Sequence, residues 1–286
     1  MNLKTNIMKK CLIAVTSLIG SFLFAQDFQG IAVYESKTTF DFSKAETKTD
    51  GDAMSPEMEA QLQEQLKKAM EKTYTLKFDK TASLYKEEEK LATPSSSGLT
   101  VTVSVSFNGG GTLYKNLKDK TALTETEIYG KEFLVTENLE PLEWKLENET
   151  KKIGNYTCYK ATVVFKPRER DDKDKAIVLT SLPETDRTVT AWYTPEIPVS
   201  NGPQNYWGLP GLILEVNDGH TILLCSKITL NPKEKFTLKA PKKGEKVSRR
   251  EFDKIMEKKT EEMMEMNSAP SAPGTTRTTK VMRIGG

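Results

Sequence analysis

The chain has 286 residues, 29% of them charged, with a formal net charge of +2 and a single histidine. Charges that nearly cancel argue against a dedicated nucleic-acid binder and give no basis for strong electrostatic steering. One histidine and no paired Cys-x-x-Cys units leave no ligand set for zinc.

The N-terminus reads as an export signal. Lys4, Lys9 and Lys10 form a positive n-region, and Cys11 to Phe24 an apolar h-region too short to span a bilayer comfortably. Cleavage after Ala25 makes residues 1–25 a signal peptide that carries Cys11 away with it. No later stretch is apolar enough for a transmembrane helix. The expected mature protein is exported: periplasmic, outer-membrane associated or extracellular. Its length suits a single β-rich domain over 26–266.

Gln29 to Phe42 reads as a first strand. Ser55-Pro56-Glu57 opens a helix, with Ser as N-cap and Pro in the first turn, and Met58, Leu62, Leu66, Ala69 and Met70 follow at helical spacing. The period then changes to two. Tyr74, Leu76 and Phe78 alternate, followed by Ala82 and Leu84, then Val101 to Phe107, a turn at Asn108 to Gly111, and Leu113 to Leu117. Leu123 to Tyr129 and Phe133 to Val135 form a hairpin. Leu142, Trp144 and Leu146 alternate again, and Tyr156 to Phe165 puts Tyr159, Ala161, Val163 and Phe165 on one side. Lys166 to Lys175 is a solvated mixed-charge loop. Ile177 to Thr180 and Val189 to Thr194 are strands. Leu212 to Val216 and Thr221 to Leu230 pair across Asn217-Asp218-Gly219, with Ile222, Leu224, Ser226, Ile228 and Leu230 on one face. A basic segment, Asn231 to Lys246, leads to a capping box at Ser248 to Glu251 and a helix bearing Phe252, Ile255, Met256, Met263 and Met266. Residues 267–286 have the composition of a disordered tail.

Many short strands in sequential hairpins, with two helices, predict a mainly β (α+β) fold: a large curved antiparallel meander, partly closed into a barrel or folded into two layers, with the helices as covers. Cys158 and Cys225 remain after export, each opposite the more apolar side of its strand. In an oxidising compartment they either bridge or stay as two buried thiols.

The connection Thr194 to Gly211 is longer than most strand connections, and its prolines and glycines specify a shape. Leu209-Pro210-Gly211-Leu212 fits a type II turn, with Gly211 at positive φ. Gly208 lets the backbone pass close to a neighbour, and Leu209, Leu212 and Ile213 anchor the loop in the core. Trp192, Tyr193, Tyr206, Trp207 and Leu209 either line a binding site or plug the sheet; packed side chains are the more common outcome.

The hexamer Gly208 to Ile213, with Ala191-Trp192-Tyr193, Ile197-Pro198 and Gly202-Pro203 before it, resembles the signature of the GLPGLI family of exported Bacteroidetes proteins. Upstream, Lys152 to Thr162 looks like that family's strand leading into a Lys-Ala-Thr segment. The resemblance covers about Lys152 to Val216 well. It implies an exported cell-envelope protein and brings no catalytic residues with it.

Enzyme signals are weak. His220 falls at a hairpin turn, no nucleophile elbow accompanies it, and no carboxylate pair stands out. No cofactor or metal is expected. The sequence therefore favours a non-enzymatic protein that binds an apolar small molecule, or a periplasmic or outer-membrane partner, near the signature loop. Two alternatives are an outer-membrane transporter accessory acting by strand pairing and an envelope hydrolase.

Overall fold

The computed structural model describes residues 28–38, 71–88, 111–128, 130–166 and 186–268, with 57, 60 and 64 also helical. Outside these lie the signal segment, most of the helix expected from Ser55, the strands expected at 101–107 and 177–180, most of the mixed-charge loop and the tail beyond 268.

Strands β1 (Gln29–Thr38), β2 (Lys72–Asp79), β3 (Ala82–Glu87), β4 (Thr112–Asn116), β5 (Thr121–Ile128) and β6 (Lys131–Asn138) form a meander of antiparallel neighbours. Strands β7 (Lys145–Ile153), β8 (Tyr156–Phe165), β9 (Arg187–Thr194), β10 (Leu212–Asn217) and β11 (Thr221–Leu230) form a second, and β11 pairs with β1 to join the two. β12 (Glu245–Ser248) adds the one parallel pair among the described strands, against β6, and leads into helix α1 (Arg249–Ser268). The described strands make one curved sheet of 12, with β12 and β7 at its two ends. The mainly β meander expected from the sequence is thus present.

Local signals placed several elements. The capping box closes reciprocally: Ser248 Oγ and backbone N donate to Glu251 Oε2 at 2.7 and 2.8 Å, and the Glu251 N donates to Ser248 Oγ at 3.3 Å. α1 then packs Phe252 edge-on to Phe133, ring centroids 5.6 Å apart, in a cluster with Val135 and Val247. The helix therefore covers the β6–β12 corner. At the other hairpin, Asp218 Oδ1 accepts from the amides of His220 and Thr221 at 3.0 and 2.7 Å, leaving His220 exposed at the turn.

Three expectations about facing are corrected. In β11 the buried residues are Leu223 and Cys225, while Leu224 is 40% exposed. The cause is a bulge: Tyr34 faces Cys225 but Val33 faces Lys227, so Ser226 is an extra residue. Leu223 and Cys225 point inward before it, and Ile228 and Leu230 pack inward after it. One inserted residue flips every later side chain. In β3 Ser83 and Tyr85 are buried toward the core and Leu84 is not, while Ala82 is buried at the strand's start. Asp79 Oδ1 caps the amides of Thr81 and Ala82 at 2.7 and 2.8 Å, and that turn resets the alternation. Finally, residues 139–144 are not a strand. They cross the sheet so that Leu142 and Trp144 pack on the core while Leu146, on the edge strand, is 57% exposed.

Two large clusters fill the sheet. One gathers Tyr34, Leu76, Phe78, Tyr85 and Leu113 with Ile197, Val199, Trp207, Leu212 and Leu214. The other gathers Ala161, Val163, Val189, Ala191 and Tyr193 with Tyr206, Leu209, Ile213 and Val216. Both take residues from the connection between β9 and β10, which is therefore core.

Candidate functional site

The connection between β9 and β10 builds itself from an alternating pattern. Ile197, Val199 and Asn201 are buried while Pro198 is exposed. The returning strand then lies against it: Leu212 N donates to Ile197 O at 3.0 Å and Ile213 N to Asn201 O at 2.9 Å. Between these limbs the chain doubles back, Tyr206 N donating to Pro203 O at 3.1 Å.

The glycines hold roles exchanged from those expected. Gly208 carries the positive φ, +98°, where a side chain is strained. Gly211 is the point of close approach: a Cβ there would lie 2.1 Å from the Thr194 carbonyl oxygen. Gly211 N donates to Leu209 O at 2.8 Å, so the turn closes over two residues about Pro210, whose fixed φ suits an inverse γ-turn, in place of the expected type II turn. Gly202 also lies against the core; a Cβ there would meet Ile213 Cβ at 2.8 Å, and Pro203 beside it is buried.

The residues proposed for binding are packed. Tyr206 and Trp207 are each 9% exposed, Leu209 1% and Tyr193 6%, with Leu212 and Ile213 fully buried as anchors. Burial pushes the Tyr206 phenol up to about 12. Trp192 is half-buried and lies on the edge side, where the Lys151 ammonium sits 4.4 Å from its ring centroid and donates to Glu215 Oε2 at 2.7 Å.

Buried polar groups in and beside the connection need partners, and side chains distant in the chain supply them. Tyr34 on β1 donates its hydroxyl to Ile213 O at 2.7 Å. Trp144 donates Nε1–H to Trp207 O at 2.7 Å. Ser83 on β3 donates to Asn201 Oδ1 at 3.3 Å. Lys115 on β4 is fully buried and donates from Nζ to the carbonyls of Gly202 and Gln204, each at 2.7 Å, and of Tyr206 at 3.4 Å. Gln204 adopts φ +48°, uncommon for a residue with a side chain, as part of this arrangement. Burial lowers the Lys115 pKa from 10.5 to about 7. None of these four residues is singled out by the sequence motifs. The one signal was Lys115 itself, which shares the inward face of a strand with Leu113.

Cys158 and Cys225 are buried free thiols, pushed by burial up to about 11 and about 12. Both belong to the cluster that holds Trp207 and Leu212. No group of three or more His, Cys, Asp or Glu suited to a metal occurs among the described residues. An open hollow of about 490 Å³ lies away from the loop, lined by Thr75, Lys77, Leu84, Lys86, Glu87 and Glu88. No helix among the described residues is long and apolar enough to cross a membrane.

No curated protein matches the chain. Solved structures described as "Structure of PNGF-II in C2 space group" and "Structure of PNGF-II in P21 space group" are similar at 15% identity, with TM-scores of 0.47 and 0.45. They cover 82% and 81% of this chain, which spans about a third of that protein's length (33%). Residues 144–215 match a family described as "Protein of unknown function (Porph_ging)", and that stretch is the run from Trp144 through β7, β8 and β9 to the signature loop and most of β10.

Proposed function

We propose that this is an exported cell-envelope protein of the GLPGLI type that acts by non-catalytic contact with a partner protein, through the half of the sheet built from 144–215. The observation that carries this reading is the burial of the loop aromatics: Tyr206, Trp207 and Leu209 fill the sheet instead of lining a cavity. Among the described residues, these side chains occupy the space under the loop where an apolar ligand would sit. This half of the described sheet presents to water the outer edge of β7 with Leu146, and beside it Tyr159 and Val164 on β8, at 57%, 39% and 53% exposure.

The β7 edge carries Lys145, Glu147, Glu149, Lys151 and Lys152, and its register to β8 shifts between Leu146 and Thr150. Charges and irregularity of this kind discourage indiscriminate strand addition, so the contact suits one matched partner. The hydrolase alternative needs a carboxylate held protonated. Among the described residues, where surroundings move a carboxylate, at Glu147, Glu251 and Glu262, hydrogen bonds move it down.

The test is site-specific photocrosslinking in the envelope of producing cells, with the crosslinker at Leu146 or Val164 and a control at Lys254 on α1. A discrete adduct at the β7–β8 positions alone is expected. Adducts no stronger than the Lys254 control would overturn the reading, and a lipid co-purifying in equimolar amount would restore the apolar-ligand alternative.

A further inference from the structure

Among the described residues Lys115 is the only buried charged side chain. Placing an ammonium inside without a carboxylate costs several kcal/mol, and an apolar residue of similar volume is commonly tolerated better. What Lys115 meets instead is a set of carbonyls from one short segment, Gly202, Gln204 and Tyr206. The three N–H bonds of an ammonium match three carbonyls. A neutral amine has two, enough for the 2.7 Å contacts but not for the 3.4 Å contact to Tyr206 O. The seat is also incompletely satisfied, because the buried Asn201 Nδ2 has no partner.

The geometry points to a proton-coupled latch: Lys115 seats the loop from Gly202 to Trp207, and lifting the loop returns the amine to water, where it takes up a proton, so that acid favours the lifted loop. Among the described residues, the groups placed against Lys115 are Ser83 and Ala122, its partners on β3 and β5, and the backbone carbonyls of Gly202, Gln204 and Tyr206. None of these groups is titratable at ordinary pH, and the Tyr85 phenol further along the inward face of β3 is raised by burial and stays neutral.

The direction follows from proton linkage. Burial alone lowers Lys115 to about 7, and no charged neighbour contributes. The carbonyls act in the opposite sense, favouring the ammonium. Between about 7 and the 10.5 of a free lysine, the seated form binds fewer protons than the lifted form. Raising the pH through that window firms the seat; lowering it loosens the loop until both forms are protonated. The lifted loop presents Tyr206 and Trp207, the aromatics that the packed state conceals. This latch does not depend on the partner contact proposed above.

Hydrogen exchange of the mature chain from pH 6 to 9, corrected for intrinsic exchange rates, tests it. In wild type the protection of the Tyr206, Leu212 and Ile213 amides should rise above pH 7 by up to about tenfold per pH unit, while amides in β1–β3 do not follow. Lys115→Met should lower loop protection about tenfold or more and abolish the pH dependence. Loop protection that is flat with pH in wild type, or that moves in step with β1–β3, would sink the proposal. Should Lys115→Met fail to fold, the wild-type profile still decides, together with NMR of side-chain-labelled lysine. A Lys115 resonance that titrates below pH 10 is required, and one at or above free lysine overturns the latch.

Discussion

Among the described residues, two long stretches have no regular secondary structure, and they differ in burial. The connection between β9 and β10 is buried. The segment from Asn231 to Gly244, between β11 and β12, stays at the surface. It carries Lys233, Lys235, Lys239, Lys242 and Lys243, all exposed, against one acid, Glu234. It touches the sheet at few points, such as the paired bonds between Gln29 and Phe236 at 2.7 and 3.3 Å. Water solvates its backbone. The buried connection has to find partners inside the protein for its orphan carbonyls, and it recruits Trp144 and Lys115 from separate parts of the chain, while Tyr34 holds the Ile213 carbonyl where β10 begins. Irregular backbone can be core only when distant side chains complete its hydrogen bonds.

The strongest challenge to this contrast is Gly211→Ala. Its Cβ would collide with the Thr194 carbonyl, so a loss of about 3 kcal/mol or more, or failure to fold, is expected in chemical denaturation. A variant that unfolds at the wild-type midpoint would mean that the connection is not packed as described.

Next comes Lys115→Met, expected to cost about 2–3 kcal/mol by leaving loop carbonyls without donors, partly offset by removal of a buried charge. Its pH signature is sharper than its magnitude. The lowered Lys115 pKa makes wild-type stability rise from about pH 7 toward 9, by at most about 1.4 kcal/mol per unit. Above 9 the thiols work the other way. Cys158 and Cys225 stay neutral in the fold up to about 11 and 12 but ionise in the unfolded chain, so stability falls. Denaturation midpoints that rise between pH 7 and 9 in wild type and not in Lys115→Met would separate the lysine from everything else.

Trp144→Phe removes the donor to Trp207 O and should cost about 1–2 kcal/mol in thermal denaturation. At the far end, Lys239→Ser and Lys242→Ser in the exposed segment should each change stability by less than about 0.5 kcal/mol. A larger loss at either lysine would show that the segment is held by contacts as the buried connection is, and would erase the distinction.

Much of the meander was legible in local patterning. Alternation at Leu76 and Phe78, the Asn217-Asp218-Gly219 turn and the Ser248 capping box each act within a few residues, and each is present. The anchoring of Leu209, Leu212 and Ile213 was legible too, since a proline-set apolar turn has few alternatives to burial. Facing in β11 was not, because the bulge at Ser226 is set by the partner strand β1, nearly two hundred residues earlier in the chain. The exchanged roles of Gly208 and Gly211 were hidden for the same reason: the Thr194 carbonyl that forbids a side chain at Gly211 belongs to the preceding strand.

By itself the sequence determined a mainly β chain, its turns, its capped terminal helix and a loop of fixed shape, because propensity, periodicity and capping are short-range properties. Only the tertiary structure decided that the loop is a plug and that its seat is a lysine. A fully buried Lys115 looks like an ordinary charged strand residue until β4 is brought against the carbonyls of Gly202, Gln204 and Tyr206. Desolvation and hydrogen-bond satisfaction are properties of that assembly, and no window along the chain contains both the amine and its acceptors.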